Sequence, residues 1–326
     1  MTYSSGSLIQ ATDYNGFVST TSGGNVNATW NTTYGQTALA TVSAGGTVTA
    51  TQWATLNSTI GSMATHQGTT ITSRTSPVVG NIISVLANVA TDISSCYTNR
   101  FNAASVGAQY TAWTGTASKT SSTGSGGASW TITFTDTVSF ANATAASSFF
   151  GAGGYLQVQF GKSSTGTVAD TEWNTFIGAA GAGGVVAAKV ILTSDAAAKT
   201  IVGTSYNGTY KTGGTGTPTT LATTIGYNQL TGTPQTIYKQ FDAGAAYSGN
   251  YVQINASQTA GVITLTTTWY DAGDANPGST AVISGGTATT GISFGTAPTT
   301  IVTAYPPETT NISSSWGTFS IASTVA

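Results

Sequence analysis

The sequence predicts an α+β protein, a small N-terminal helical domain followed by a mainly antiparallel β-sandwich. Three observations carry this. Apolar residues recur at helical spacing up to about residue 105 and alternate with polar ones from residue 130. Between the two regimes lies a Gly/Ser/Thr-rich stretch, TGTASKTSSTGSGGA at 114–128, which reads as a linker. Aromatic residues make up 10% of the 326 and recur along the whole chain. That argues for packed cores although only 6% of residues are charged. The expected organisation is therefore a helical assembly or anchoring domain at 1–113, the linker at 114–128, and a sandwich at 129–326.

The helical part begins with Ile9 to Thr20, where Ile9, Tyr14, Phe17 and Val18 lie near helical spacing, weakened by Gly16. Residues 21–48 hold Asn, Thr and Gly with Trp30 and Tyr34 and read as a long loop. The clearest helix follows. Trp53, Leu56, Ile60 and Met63 fall at i, i+3, i+7 and i+10 and form one apolar stripe. Thr49 and Gln52 have the spacing of a capping box, and Gly45-Gly46 and Gly68 bound the segment. Its other face is Thr, Ser, Asn and Gln without charge, which is easier to bury against another copy than a Lys/Glu face. This segment is the expected assembly helix. After Pro77, Val78, Ile82, Val85 or Leu86, Val89 and Ile93 keep a helical period, with a β-branched content that leaves packing to hold the helix. Three helices around one small core are expected. Residues 1–118 carry only Asp13, Arg74, Asp92 and Arg100 as charges, so this part is suited to being clamped in an assembly.

In the β part, Trp130, Ile132 and Phe134 alternate with Thr131, Thr133 and Thr135 and lead into Val138 and Phe140. Leu156, Val158 and Phe160 alternate with Gln157 and Gln159; Tyr251 to Ala256, Val262 to Tyr270 and, more faintly, Trp316 to Ala322 repeat the pattern. Val185 to Leu192 is a more continuously apolar strand. Thr and Gln on outer faces and Gly-rich turns between strands predict antiparallel sheets. One short helix is inserted at about 170–178, with Asp170 as N-cap and Trp173, Phe176 and Ile177 as its apolar face.

Titratable groups are too few for an evident catalytic site. There is one His (His66), one Cys (Cys96) and two Glu, Glu172 and Glu308. Acid–base or nucleophilic catalysis needs such groups in convergent pairs, so no enzyme is expected. A zinc site would need more His and Cys. His66 is expected to cap or pack the end of its helix, Cys96 to be a buried thiol, and Glu308 to solvate the turn after Pro306-Pro307. Asp271 and Asp274 in DAGDANPG are the one close acidic pair of interest. A turn explains them; the alternative is a structural Ca²⁺ ion, and no other cofactor is expected. Trp30, Trp113, Trp269 and Tyr270 are candidate platforms for a sugar, although alternation also places Trp269 in the sheet. Eight Lys and Arg without a cluster, at net charge −2, disfavour nucleic-acid binding. No stretch has the length of a membrane span, and MTYSSGSLIQ lacks the features of a secretory leader.

Several longer segments carry a resemblance. IQATDYNGF, WNTTYGQ at Trp30–Gln36, GGTVTATQWATL and the later His66-Gln67-Gly68 resemble virion structural proteins of tailed bacteriophages, of the marine and cyanobacterial type. SFFGAGGYLQVQF, EWNTF, TTWYDAG and PPETTNISSSWGTFSIA extend the resemblance over most of the chain. One departure is Gly151-Ala152-Gly153-Gly154, where the pattern has Asn-Ala-Gly-Gly. The resemblance implies a structural protein located in the virion, with itself and other virion proteins as partners. The expected address is tail, baseplate or fibre. The alternatives are a capsid decoration or collar protein, or a carbohydrate-binding adhesin module at a fibre that meets host-surface glycan. A polysaccharide hydrolase would have only Asp271 with Asp274 for its carboxylates.

Overall fold

The computed structural model describes residues 10–19, 24–78, 86–103, 113–118, 121–122, 129–162, 172–174, 177, 187–195, 198–201, 204–244, 247–272, 292–293 and 299–326. It is an α+β protein with helices first and a mostly antiparallel, sandwich-like β region after them.

Among the described residues the helical part contains four helices where three are expected: α1 (Ala11–Val18), α2 (Val26–Trp30), α3 (Ala50–Gln67) and α4 (Leu86–Thr98). The short α2 lies inside the stretch read as a loop. Its signal is local, an Asn25 N-cap position and five residues, too few to give a period. In α3 the capping box forms: the Gln52 N–H donates to Thr49 Oγ1 and the Thr49 N–H to Gln52 Oε1. The helix stops at Gly68, whose left-handed backbone (φ 66°) lets its N–H return to the last carbonyls. In α4, Val89 and Ile93 point inward as their spacing predicts, while Val78 is exposed; Ile82 and Val85 lie outside the described residues.

The β region is built from two sheets. One has the order β1 (Trp113–Ser118), β14 (Thr299–Tyr305), β4 (Tyr155–Gly161), β5 (Lys189–Leu192), β8 (Thr209–Thr212). The other runs β15 (Phe319–Val325), β3 (Trp130–Phe140), β12 (Val262–Asp271), β11 (Tyr251–Thr259), β10 (Gln235–Phe241), β9 (Thr220–Leu221). The pairs β2 (Ser121–Ser122) with β13 (Ile292–Ser293), and β6 (Ala198–Ile201) with β7 (Thr204–Asn207), are small ribbons. Strands β1 and β2 thus occupy part of the span read as a linker. The final strand starts at Phe319; Trp316, read as its first residue, is buried in the preceding turn. The described residues of the expected inserted helix, 172–174 and 177, are helical, with Trp173 and Ile177 buried; Asp170 and Phe176 lie outside them.

Alternation decides which faces are inside. β3 and β12 pair over their whole length, and their inward rows carry Ile132, Phe134, Val138, Ile263, Leu265 and Trp269. Phe160 on the facing sheet meets Tyr238 and Trp269 at ring-centroid distances of 5.7 and 6.1 Å. A helix not expected from the sequence, α5 (Ala143–Gly151), carries the chain from β3 in one sheet to β4 in the other. Asn142 caps it by accepting from the Ala145 N–H. Its Phe149 and Phe150 pack on Phe140, Phe319, Trp316 and Tyr227. One continuous apolar cluster joins the two parts, holding Tyr14, Trp53 and Ile60 together with Phe149, Phe160 and Trp269.

Candidate functional site

The strongest concentration of buried polar chemistry lies where the helical part meets α5 and the segment 306–316. His66, in the last turn of α3, is fully buried. Its Nδ1 is 2.8 Å from Glu308 Oε1 and its Nε2 is 2.7 Å from the Ala152 carbonyl oxygen. A carbonyl oxygen only accepts, so Nε2 carries a proton. Glu308 also accepts from the Thr310 N–H and from Asn311 Nδ2, as an ionised carboxylate does. Nδ1 and Glu308 share the second hydrogen bond of the ring, so the two side chains form one buried pair. Burial alone would raise the Glu308 carboxyl; the hydrogen bonds from His66, Asn311 and Thr310 and the His66 charge outweigh it and hold the group at about 2. The expectation for Glu308 is thus corrected: it is 1% exposed and anchors a seam instead of solvating a turn. Of the two roles expected of His66, it packs, edge-on against Tyr34, and does not cap: its ring ties the helix to two other segments.

Amide side chains extend the seam. Gln36 Oε1 accepts from the Ser313 N–H and Oγ at 3.0 and 2.6 Å, and its Nε2 donates to the Ser313 carbonyl at 2.8 Å. Ser315 Oγ donates to the Tyr34 carbonyl. Within the helical part, Asn15 brackets Val42 and Asn27 brackets Leu39, each giving and taking one backbone hydrogen bond. These amides do for single residues what a neighbouring strand does for a ladder, and they hold the irregular stretch 36–48 against α1 and α2. At Gly153 (φ 101°) the chain turns out of α5 so tightly that a Cβ would overlap Ala103.

The stripe of the expected assembly helix, Trp53, Leu56, Ile60 and Met63, faces the chain's own core, each at 1% exposure or less. What α3 offers outward is Thr51, Thr55, Ser58 and Thr65, all exposed hydroxyls. Beside it a groove of about 440 Å³ is lined by Trp30, Leu39, Gln52, Thr55 and Thr59, without a charged group. Of the other candidate sugar platforms, Trp269 is core, Tyr270 stacks on Tyr251 at 4.9 Å, and the Trp113 side chain is outside the described residues.

Of the expected acidic pair, Asp274 lies outside the described residues. Asp271 points inward at the end of β12, where its Oδ2 accepts from Trp173 Nε1 at 3.4 Å and from Asn250 Nδ2 at 3.3 Å. Asp136 on β3 is a carboxyl that sequence reasoning missed, although it falls on the inward row with Ile132, Phe134 and Val138. Ser323 Oγ donates to it at 2.5 Å, and burial pushes it up to about 6 against that bond. Arg74 pairs with Asp92 inside the helical part. Cys96 is buried, and burial first, then Asp92, push its thiol up to about 12, which makes it a poor nucleophile. Among the described residues, no three His, Cys, Asp or Glu gather to hold a metal ion, and no helix is long and apolar enough to cross a membrane. No known protein family matches the chain, and neither does a curated protein or a solved structure.

Proposed function

We infer that this chain is a non-enzymatic structural protein of a phage virion, of the tail, baseplate or fibre region, which self-assembles through charge-poor surfaces. The observation that carries the reading is the distribution of polarity. Charged and amide groups are used inward, at the His66–Glu308 pair, the Arg74–Asp92 pair and the Gln36 bracket. The outward face of α3 and the edge strand β15 carry no charge. An uncharged edge strand lacks the Lys or Pro that blocks strand addition, and neutral surfaces repel one another weakly. The partners in this reading are other copies of the chain and other virion proteins.

The reading is tested by quantifying the chain in purified particles. A few copies in a fixed ratio to tail proteins fit the tail, baseplate or fibre. Hundreds of copies move it to capsid decoration or the collar, and absence from the particles overturns it. One observation favours a further reading, a carbohydrate-binding adhesin module at a fibre: the half-buried Trp30 borders an uncharged groove rich in Thr and Gln. Screening the full chain against host-surface glycans separates the two.

A further inference from the structure

A second cluster of carboxylates lies far in sequence from the seam. Strand β10 ends at Phe241, and Asp242, Ala243 and Gly244 follow it along a cleft of about 300 Å³. Glu172 enters the same cleft from the helical residues 172–174, and Thr215 and Thr217 close it from the loop after β8. Both carboxylates border the space that Gly244 leaves by having no side chain. A Cβ there would stand 3.0 Å from Glu172 Oε2 and 3.3 Å from Asp242 Oδ1.

Asp242 is 5% exposed. Its Oδ1 accepts from the Gly244 N–H at 2.8 Å, but its Oδ2 is buried with no hydrogen-bond partner. A buried carboxylate oxygen without a donor is costly, and most such oxygens in folded proteins are satisfied. The charges around it make matters worse. Burial raises the Asp242 carboxyl, and Glu172 and Asp271 push it further in the same direction, against bonds from Gly244 and Ala243. Lys211, beside the loop that closes the cleft, turns its Nζ to the Gly216 carbonyl at 3.0 Å and the Thr215 carbonyl at 3.4 Å. Glu172 Oε2 and Asp242 Oδ1 thus border the same small space beside Gly244, and neither carboxylate is in an ion pair among the described residues.

We propose that Glu172 and Asp242 bind a divalent cation of the Ca²⁺ type in this cleft. The ligand chemistry selects the ion. There is no His or Cys at the cleft, which disfavours zinc and the softer metals. Ca²⁺ accepts six to eight oxygens in loose geometry and takes carbonyls and water alongside two carboxylates. With only two charged ligands, the affinity belongs with the weak extracellular class, about 10⁻⁴–10⁻³ M. The ion would tie the 172–174 turn to the end of β10. The fold assembles this pair from residues seventy apart in the sequence.

The site carries its own reporter, because Trp173 adjoins Glu172 in the chain and stacks between Trp130 and Trp269. The test uses the full chain and Tb³⁺, which replaces Ca²⁺ and emits when a nearby indole is excited. The expected result is a saturable emission displaced by millimolar Ca²⁺, weakened at least tenfold in Asp242→Asn and in Glu172→Gln, and unchanged in Asp13→Asn. In EDTA, Asp242→Asn should melt no lower than the parent, since it removes a buried charge; adding Ca²⁺ should raise the melting temperature of the parent alone. A signal that does not saturate, an affinity equal to the parent's in either cleft variant, or a Ca²⁺ response in Asp242→Asn equal to the parent's would overturn the proposal.

Discussion

Replacing Glu308 with Gln keeps the shape of the group at the centre of the seam and removes its charge. The folded structure holds this carboxyl at about 2 against an ordinary 4.5. Each pH unit between those values corresponds to about 1.4 kcal/mol, so the ionised group contributes about 3 kcal/mol. That agrees with the roughly 3–5 kcal/mol lost when one partner is taken from a buried pair. A carboxyl whose folded value lies below its unfolded one stabilises fully above 4.5 and loses that contribution as pH falls toward 2. The assay is urea unfolding of the parent and Glu308→Gln at a series of pH values. At pH 7 the variant should be less stable by about 3 kcal/mol, and about half of that gap should be gone by pH 3. A gap under about 1 kcal/mol at pH 7, or one that stays constant down to pH 3, would refute the assignment of an ionised Glu308 held by His66, Asn311 and Thr310.

Two further outcomes follow from other buried polar groups. Asp136 behaves in the opposite sense: its folded value of about 6 lies above its ordinary 3.8, so its burial costs stability as pH rises through that window. Asp136→Asn should be more stable than the parent by about 1–3 kcal/mol at pH 7 and equal to it near pH 3, by the same urea midpoints. Gln36→Ala deletes every bond of the bracket around Ser313; it should cost about 1–3 kcal/mol and speed amide hydrogen exchange at Ser313. Unchanged exchange there would mean that the segment is held by something else.

How much of this was legible in the sequence depends on the range of the interaction. Helix α3 was read almost to the residue, because its stripe, its Thr49 cap and its Gly68 stop are all local signals. Strands β3, β11 and β12 were legible because their residues alternate between core and a more exposed face; β4 was legible from the same sequence alternation, although Gln157 on its other face is buried too. Strand β10 was missed for a physical reason: a bulge between Thr236 and Tyr238 places Ile237 and Tyr238 inward in succession and breaks the alternation. Helix α5 is short and apolar enough to be mistaken for strand or loop, and Asn142 was its only clear mark. The seam was not legible at all. His66 and Glu308 lie 242 residues apart, and Gln36 and Ser313 lie 277 apart. No local pattern announces such a pair, so each residue alone received the ordinary reading for its type. The same holds for Asp242 and Glu172, which only the fold brings to one cleft.

If neutral outward surfaces join copies of this chain, the native mass of the full chain by light scattering reports it. The measurement runs over a dilution series at low salt and at about 1 M salt, where the screening length falls to about 3 Å. The account predicts a discrete oligomer whose mass is the same at both salt concentrations, since its contacts are uncharged. A monomer at every concentration, or an oligomer that dissociates as salt is added, would contradict it.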